Sequence, residues 1–394
     1  MARIEVLTGN HAAAYAAKLS RVQVVSAYPI TPQTTIIERL AEFIGRKELN
    51  AKYICVESEH SAMAACIGAS ATGARTFTAT SAHGLMYMSE LVWWAGLGKF
   101  PLVMAVVCRA LGPPWSIWTE HNDFLAHRDS GWIMFFAEDN QEVLDLIIQS
   151  YRISEDENVL QPAMIALDAF ILSHTSTPIS IPEQSDIDNY LPPPGSRIKP
   201  FILDPSNPLT HGNLTYPDSL MEIRSEIEKS MNYARKVIVE AGREYGNITG
   251  RYYDSLIENY MCNDADVILI SVGSSSGDAK DAVKLLRDEG YNVGLIKLRT
   301  IRPFPFEELR TICNGKRYIG VIDRNYSFGF GGIIYCEVSS ALHGLKVPIQ
   351  SFIAGLGGRD ITINDCKFMF KLLVDMADKN LEPRPPMWIG LRGV

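Results

Sequence analysis

"VVSAYPITPQTTIIERLAEFI", residues 24–44, passes from a short β-branched run through Tyr-Pro-Ile-Thr-Pro into an apolar pattern of helical period. A buried strand that turns directly into an amphipathic helix is the repeating unit of an open α/β sheet. Pro32 suits a first helical turn because the N–H it lacks would have no partner there, which makes Thr31 the expected N-cap. In such sheets ligands bind beyond the carboxyl ends of the strands, where the following helix offers unpaired N–H groups. Residues 28–32 hold that position, although a well-capped helix start would use the same residues.

The same grammar extends in both directions. Strand patterns at 22–27, 53–56, 76–80, 102–107, 132–136 and 163–167 alternate with stretches rich in Ala, Leu, Met and Glu, predicting a parallel sheet covered on both faces. Residues 175–217 are rich in proline and read as an extended crossover. A polar helix is expected from about Asp218 to Ala241, followed by strand patterns at 267–273, 292–298, 318–323 and 349–358, again alternating with helices. The expected division is a first α/β domain over 1–240, including the crossover and a linker helix, and a second α/β domain over 241–394.

Composition narrows the function. The 394 residues are 47% hydrophobic and 21% charged, ordinary values for a globular protein of two domains. A net charge of -8 without a Lys/Arg cluster argues against nucleic acid. MARIEVLTGN has no apolar signal core, and no window approaches the ~18 uninterrupted apolar residues of a membrane span, so a cytoplasmic protein is expected. Seven cysteines (Cys55, Cys66, Cys108, Cys262, Cys313, Cys336 and Cys366) are scattered without a CxxC pair. That spacing disfavours a disulfide framework, a zinc site and a self-contained iron–sulfur cluster.

Two further strand ends carry candidate chemistry. In "YICVESEHSAMAACIGASATGAR" (53–75), Glu57, Ser58, Glu59 and His60 sit where a strand turns into a small-residue helix. Glutamates there either hold a proton for chemistry or cap the helix. The small residues Ala62, Ala64, Ala65, Gly68, Ala69 and Ser70 imply close packing, in a subunit seam or in the core. "LVMAVVCRA" (102–110) ends on Arg109, whose planar fork fits a carboxylate, from a substrate or from a neighbouring Asp or Glu. Gly112, Pro113, Pro114, Trp115 and Trp118 then form a stiff aromatic loop, either a pocket wall or a subunit contact. His121 and His127 lack a third ligand at metal spacing, so no metal site is expected.

Several stretches together resemble the alpha subunit of the 2-oxoacid:ferredoxin oxidoreductases: AYPITPQT (27–34), ESEHSAMAACIGASATGARTFTATSAHGL (57–85), RDSGWI (128–133), AEDNQEVLD (137–145), FILSHT (170–175), RPFP (302–305), DRNYSFG (323–329) and GLGGRD (355–360). The resemblance implies a thiamine-diphosphate (ThDP) pyrimidine-binding domain followed by a transketolase C-terminal-like domain. It implies that Glu59 contacts the aminopyrimidine N1′ and promotes the imino tautomer that deprotonates C2 of the thiazolium, with Tyr28 and Pro29 lining the same cofactor site. Thr31 and Arg109 would bind the 2-oxoacid, and Trp115 its side chain.

The resemblance further implies that the diphosphate, its Mg²⁺ and a 4Fe–4S cluster lie on a beta subunit, in a complex with gamma and ferredoxin-like delta subunits arranged as a dimer of heteromers. Coenzyme A would be co-substrate and ferredoxin the acceptor. Pyruvate-type members carry an Asn before the arginine and Ala-Leu-Ser-Ala-Pro-Ile-Asn after it, whereas this chain has CRALGPPWSIW. That departure points to a branched-chain acid such as 2-oxoisovalerate, with phenylglyoxylate, with NAD or ferredoxin as acceptor, or pyruvate as alternatives. Oxalate is disfavoured, because its enzymes place an arginine where this chain has Thr31. A reading of another class is a non-catalytic subunit that binds an anionic metabolite and regulates a partner.

Overall fold

The computed structural model describes residues 3–196 and 202–393, so residues 197–201 of the expected crossover lie outside the described residues. The strands of the first half are β1 (Arg3–Thr8), β2 (Val24–Ser26), β3 (Lys52–Ile54), β4 (Thr76–Thr80), β5 (Val103–Cys108), β6 (Ile133–Phe136), β7 (Ala163–Asp168) and β8 (Ser176–Ile181). Those of the second half are β9 (Ile257–Tyr260), β10 (Val267–Ser271), β11 (Val293–Leu298), β12 (Thr300–Arg302), β13 (Tyr318–Asp323), β14 (Ile349–Ile353) and β15 (Met387–Trp388). One sheet runs β12-β6-β7-β5-β4-β2-β3 and a second β15-β14-β13-β10-β11-β9. Pairing is parallel except for the two edge strands β12 and β9, and β1 pairs β8 antiparallel in a separate ribbon.

The composition of β5 explains the layering. Along Val-Met-Ala-Val-Val-Cys, successive side chains point to opposite faces and all six are buried. Val103, Ala105 and Val107 join a core with helices Gly9–Leu19, Asn140–Ser154 and Leu220–Thr249. Met104, Val106 and Cys108 enter a second core that also holds Ile268, Ile270, Ile296, Leu298, Ile319 and Val321 of the other sheet. The outer face of that second sheet packs on helices Ser275–Asp288 and Ile363–Asp378. The two sheets therefore share one apolar layer. Among the described residues no helix is long and apolar enough to cross a membrane.

Three local expectations are corrected. The helix after β2 begins at Thr34 with Gln33, not Thr31, at its N-cap. Asn10 Nδ2 donates to Pro32 O and Thr35 Oγ1, each at 2.7 Å, and Gln33 Nε2 donates to Ala79 O at 2.6 Å, so distant partners hold residues 31–33 out of the helix. Residues 176–190 are not an extended crossover. They form β8 and helix Gln184–Tyr190, and Pro178 is tolerated because β8 is a strand of a two-stranded ribbon. The polar helix continues unbroken to Thr249, closing on Gly250 at φ +77°.

The halves meet at Asp168, at the carboxyl end of β7. Its Oδ1 accepts from Thr119 Oγ1 at 2.7 Å and lies 2.5 Å from His121 Nε2. Its Oδ2 accepts from Ser274 N at 2.9 Å and Ser274 Oγ at 2.5 Å, and Arg324 stands 3.8 Å away. Burial opposes ionisation, but His121, Arg324 and the hydrogen bonds outweigh it and hold the carboxyl well below the usual range. A group with a depressed pKa stabilises the fold above its unfolded value and loses that contribution as pH falls through the folded one. Asp168→Asn is therefore expected to cost about 3–5 kcal/mol near neutral pH, read as a lower urea midpoint of the purified chain. An unchanged midpoint would remove Asp168 from the junction.

Candidate active site

Because β5, β4 and β2 are adjacent and parallel, the turns that leave them share one edge of the sheet. The helix after β3 brings Glu59 to the same edge. Ser58 caps it, its hydroxyl accepting from Ser61 N at 3.3 Å. The Glu59 side chain turns inward and is only 7% exposed. Among the described residues it forms no hydrogen bond or ion pair. It lies against Gly84, where a Cβ would come within 2.6 Å of both Glu59 Oε1 and Thr80 Oγ1. The Thr80 hydroxyl is also buried without a partner. Glu57 differs: it bonds Ser58 and Ser61 at the surface, and the Ser61 bond holds its carboxyl below the usual range.

Arg109 follows β5 directly and is buried, with Nε unpartnered and no ion pair among the described residues. Burial lowers its pKa and the Asp123 carboxylate partly opposes that. The neighbouring-carboxylate alternative for Arg109 is thus not realised. The guanidinium instead sits under the Trp115 ring, 5.1 Å from its centroid, while 57% of Trp115 remains exposed. Tyr28, Pro29 and Thr31 occupy the exposed rim formed by the turn after β2. The structure brings Glu59 and Arg109 to one edge with that turn, and gives Thr31 no hydrogen bond among the described residues.

Asp123 organises this edge, and no sequence pattern singled it out. Its Oδ2 accepts from Ala82 N at 2.9 Å and Arg109 N at 3.1 Å, and its Oδ1 from Phe124 N at 2.7 Å. Ala82 has φ +40°, a strained conformation that the Asp123 bond holds in place. One carboxylate thus ties the helix carrying Gly84 to the strand end carrying Arg109. Only its place at the start of the short helix Asn122–Leu125 offered a signal. His121 bonds Asp168, and His127 bonds Asp123 O and Ser89 Oγ, so both imidazoles have structural partners.

The site fits the aminopyrimidine half of ThDP. Glu59 is a buried carboxyl without a partner, seated where Gly84 has no Cβ, and when protonated it could donate to a ring nitrogen. Arg109, buried at the same edge without an ion pair among the described residues, could hold an anion.

Two solved structures share the fold of this chain. A 2-oxoglutarate:ferredoxin oxidoreductase from Magnetococcus marinus superposes with a TM-score of 0.74 at 19% identity, covering 94% of this chain and 65% of that one. A split-gene transketolase, an inactive beta4 tetramer, gives 0.56 at 12% identity over 95% of this chain and 100% of that one. Residues 15–243 match the thiamine-diphosphate-binding domain of pyruvate flavodoxin/ferredoxin oxidoreductase, and residues 265–366 match core domain II of pyruvate:ferredoxin oxidoreductase. The chain is 50% identical to the ketoisovalerate oxidoreductase subunit VorA of Pyrococcus horikoshii over 98% of each chain. It is 46% identical to the pyruvate synthase subunit PorA of Methanocaldococcus jannaschii over 100% of this chain and 99% of that one. The chain belongs to the pyruvate flavodoxin/ferredoxin oxidoreductase family and is a subunit of a 2-oxoacid:ferredoxin oxidoreductase.

Burial pushes Asp123 from the ordinary 3.8 up to about 7, against the N–H groups that favour its carboxylate. Between those values the folded chain holds more protons than the unfolded one. Stability from this group is therefore full below the unfolded value and lost as pH rises through about 7. The melting temperature of wild type minus that of Asp123→Asn is expected to fall between about pH 5 and about pH 8. A difference that stays flat would place the titration elsewhere.

Proposed function

We propose that this alpha subunit supplies the aminopyrimidine contact and the substrate pocket for oxidative decarboxylation of a branched-chain 2-oxoacid, of the 2-oxoisovalerate type, to its acyl-CoA and CO2. Electrons pass to ferredoxin. The observation that carries the reading is a buried carboxyl and a buried guanidinium at one sheet edge, Glu59 and Arg109, without ion-pair partners among the described residues and with Trp115 above the second. Relatives named for ketoisovalerate and for pyruvate stand at similar identity, so the Trp115 wall, not overall likeness, favours the larger side chain.

ThDP, when bound, would supply a carbon nucleophile for the 2-oxo group and an electron sink for decarboxylation. Glu59 would share a proton with the pyrimidine N1′, and its burial would limit competition from water for that hydrogen bond. Arg109 pairs the substrate carboxylate through two parallel N–H donors, and Trp115 shields that pair from solvent. Loss of CO2 removes the anion and frees the guanidinium.

The diphosphate, Mg²⁺ and a 4Fe–4S cluster belong to a beta subunit in this reading, with gamma and ferredoxin-like delta subunits completing a dimer of heteromers and coenzyme A as co-substrate. The CoA-bound structural neighbour supports the co-substrate. The exposed face of helix Glu59–Ala71, where Ala64 and Gly68 are bare and nothing approaches a Gly68 Cβ within 4 Å, supports a subunit seam.

In the assembled enzyme, Glu59→Gln is expected to slow hydrogen–deuterium exchange at C2 of the thiazolium by about 10²–10⁴-fold. Unchanged exchange would deny Glu59 its role. Arg109→Ala should cost every 2-oxoacid alike, about 2–5 kcal/mol in kcat/KM. Trp115→Ala should instead change the ranking of pyruvate, 2-oxoisovalerate and phenylglyoxylate, by about 1–3 kcal/mol. An equal loss for all three acids would sink the branched-chain assignment.

A further inference from the structure

The loop that carries Trp115 leaves a strand of the first half but is fastened to the second. Ala110 N donates to Trp118 O at 3.1 Å and closes the loop at its base. Beyond that base the backbone is tied across the junction. Gly358 N donates to Thr119 O at 2.8 Å, and His121 N donates to Arg324 O at 2.9 Å. Asn122 exchanges two bonds with Tyr326: its Nδ2 donates to Tyr326 O, and Tyr326 N donates to its Oδ1, both at 3.0 Å. The tip, Gly112 to Trp115, is exposed.

Gly358 makes the close approach possible. Its φ is +79°, and a Cβ there would stand 2.3 Å from Trp118 Cβ, so no other residue lets the Gly355–Gly358 turn reach the loop at this distance. Gly315 is a counter-example within the same half, with φ +77° and nothing within 4 Å of a Cβ. The two glycines share the backbone constraint and differ in what stands next to them.

We infer that the Gly355–Gly358 turn of the second half is a specificity-determining positioning element, which sets the place of Trp115 over Arg109 by fixing Trp118 and Thr119. This rests on the substrate reading above. The chemistry at Glu59 does not pass through the turn. The turn governs how much room the indole leaves for the side chain of a 2-oxoacid whose carboxylate is held by Arg109, and so the balance between a methyl and a branched alkyl group.

The test uses the assembled multi-subunit enzyme carrying Gly358→Ala, Asn122→Ala or Gly315→Ala. Three quantities are measured: kcat/KM for pyruvate and for 2-oxoisovalerate, C2 exchange of bound ThDP, and melting temperature. Gly358→Ala is expected to shift the ratio of the two kcat/KM values by about tenfold or more, with C2 exchange within about twofold of wild type. Asn122→Ala should shift the ratio in the same direction, and Gly315→Ala should leave it unchanged while bearing the same backbone strain. A ratio unchanged in both Gly358→Ala and Asn122→Ala, with exchange intact, overturns the inference. Should Gly358→Ala fail to assemble, Asn122→Ala decides alone. A wild-type complex without C2 exchange and without turnover of either acid overturns the thiamine reading, and the inference with it.

Discussion

Asp168 is the carboxylate around which both halves are arranged. In the second sheet, β10 lies between β11 and β13, so the chain reverses its direction of travel there and opens a crevice at the carboxyl ends of those strands. Such a crevice, beside the start of helix Ser275–Asp288, is where an open α/β sheet takes an anion. Here the anion is the protein's own. Asp168 enters from the end of β7 and accepts from Ser274, with Arg324 beside it. The second half is thereby committed to holding the first, and the shared apolar layer between the sheets follows from that docking.

Buried charges elsewhere among the described residues have partners, which makes the exceptions informative. Arg75 pairs Glu155 bidentately at 2.6 Å and also bonds two carbonyls. Glu138, Glu142 and Glu258 converge closely enough to suggest a cation site, but each stands 2.7 Å from Lys297 Nζ, so an ammonium already occupies their centre. An unpaired buried ionisable group costs stability, and such groups cluster at binding sites. Glu59 and Arg109 are such groups at a single edge. Their separation from Glu57, which satisfies itself at the surface, comes from one turn of chain: Glu57 precedes the cap and Glu59 follows it.

The edge is also where distant parts of the chain meet. Asp123 holds a helix start and a strand end through backbone N–H groups, so its substitution acts on Gly84 and Arg109 together. The loop beyond Arg109 is bonded to residues more than 200 positions away. The position of the loop is therefore set by the junction between the halves as much as by the sheet edge.

Period-2 and helical patterns, glycines and strand-end polar residues are local, and they revealed the parallel βα units, the strand-end places of Glu59 and Arg109, and the aromatic loop. Motif order along the chain revealed the family. Partners far apart in sequence left no such trace. The ribbon of β1 with β8, the return of β12 to the first sheet, and the bonds to Asp123 and Asp168 join segments that no spacing relates. Thr31 shows the conflict at one residue: cap propensity favoured it, and hydrogen bonds from Asn10 and Gln33 moved the helix start to Thr34. Gly242 and Gly246 show it again, since they weaken a helix in isolation yet admit Tyr253 and Tyr252 against the long one. Local preferences are worth about 1 kcal/mol or less per residue, and a buried hydrogen bond or close backbone contact from another part of the chain outweighs them.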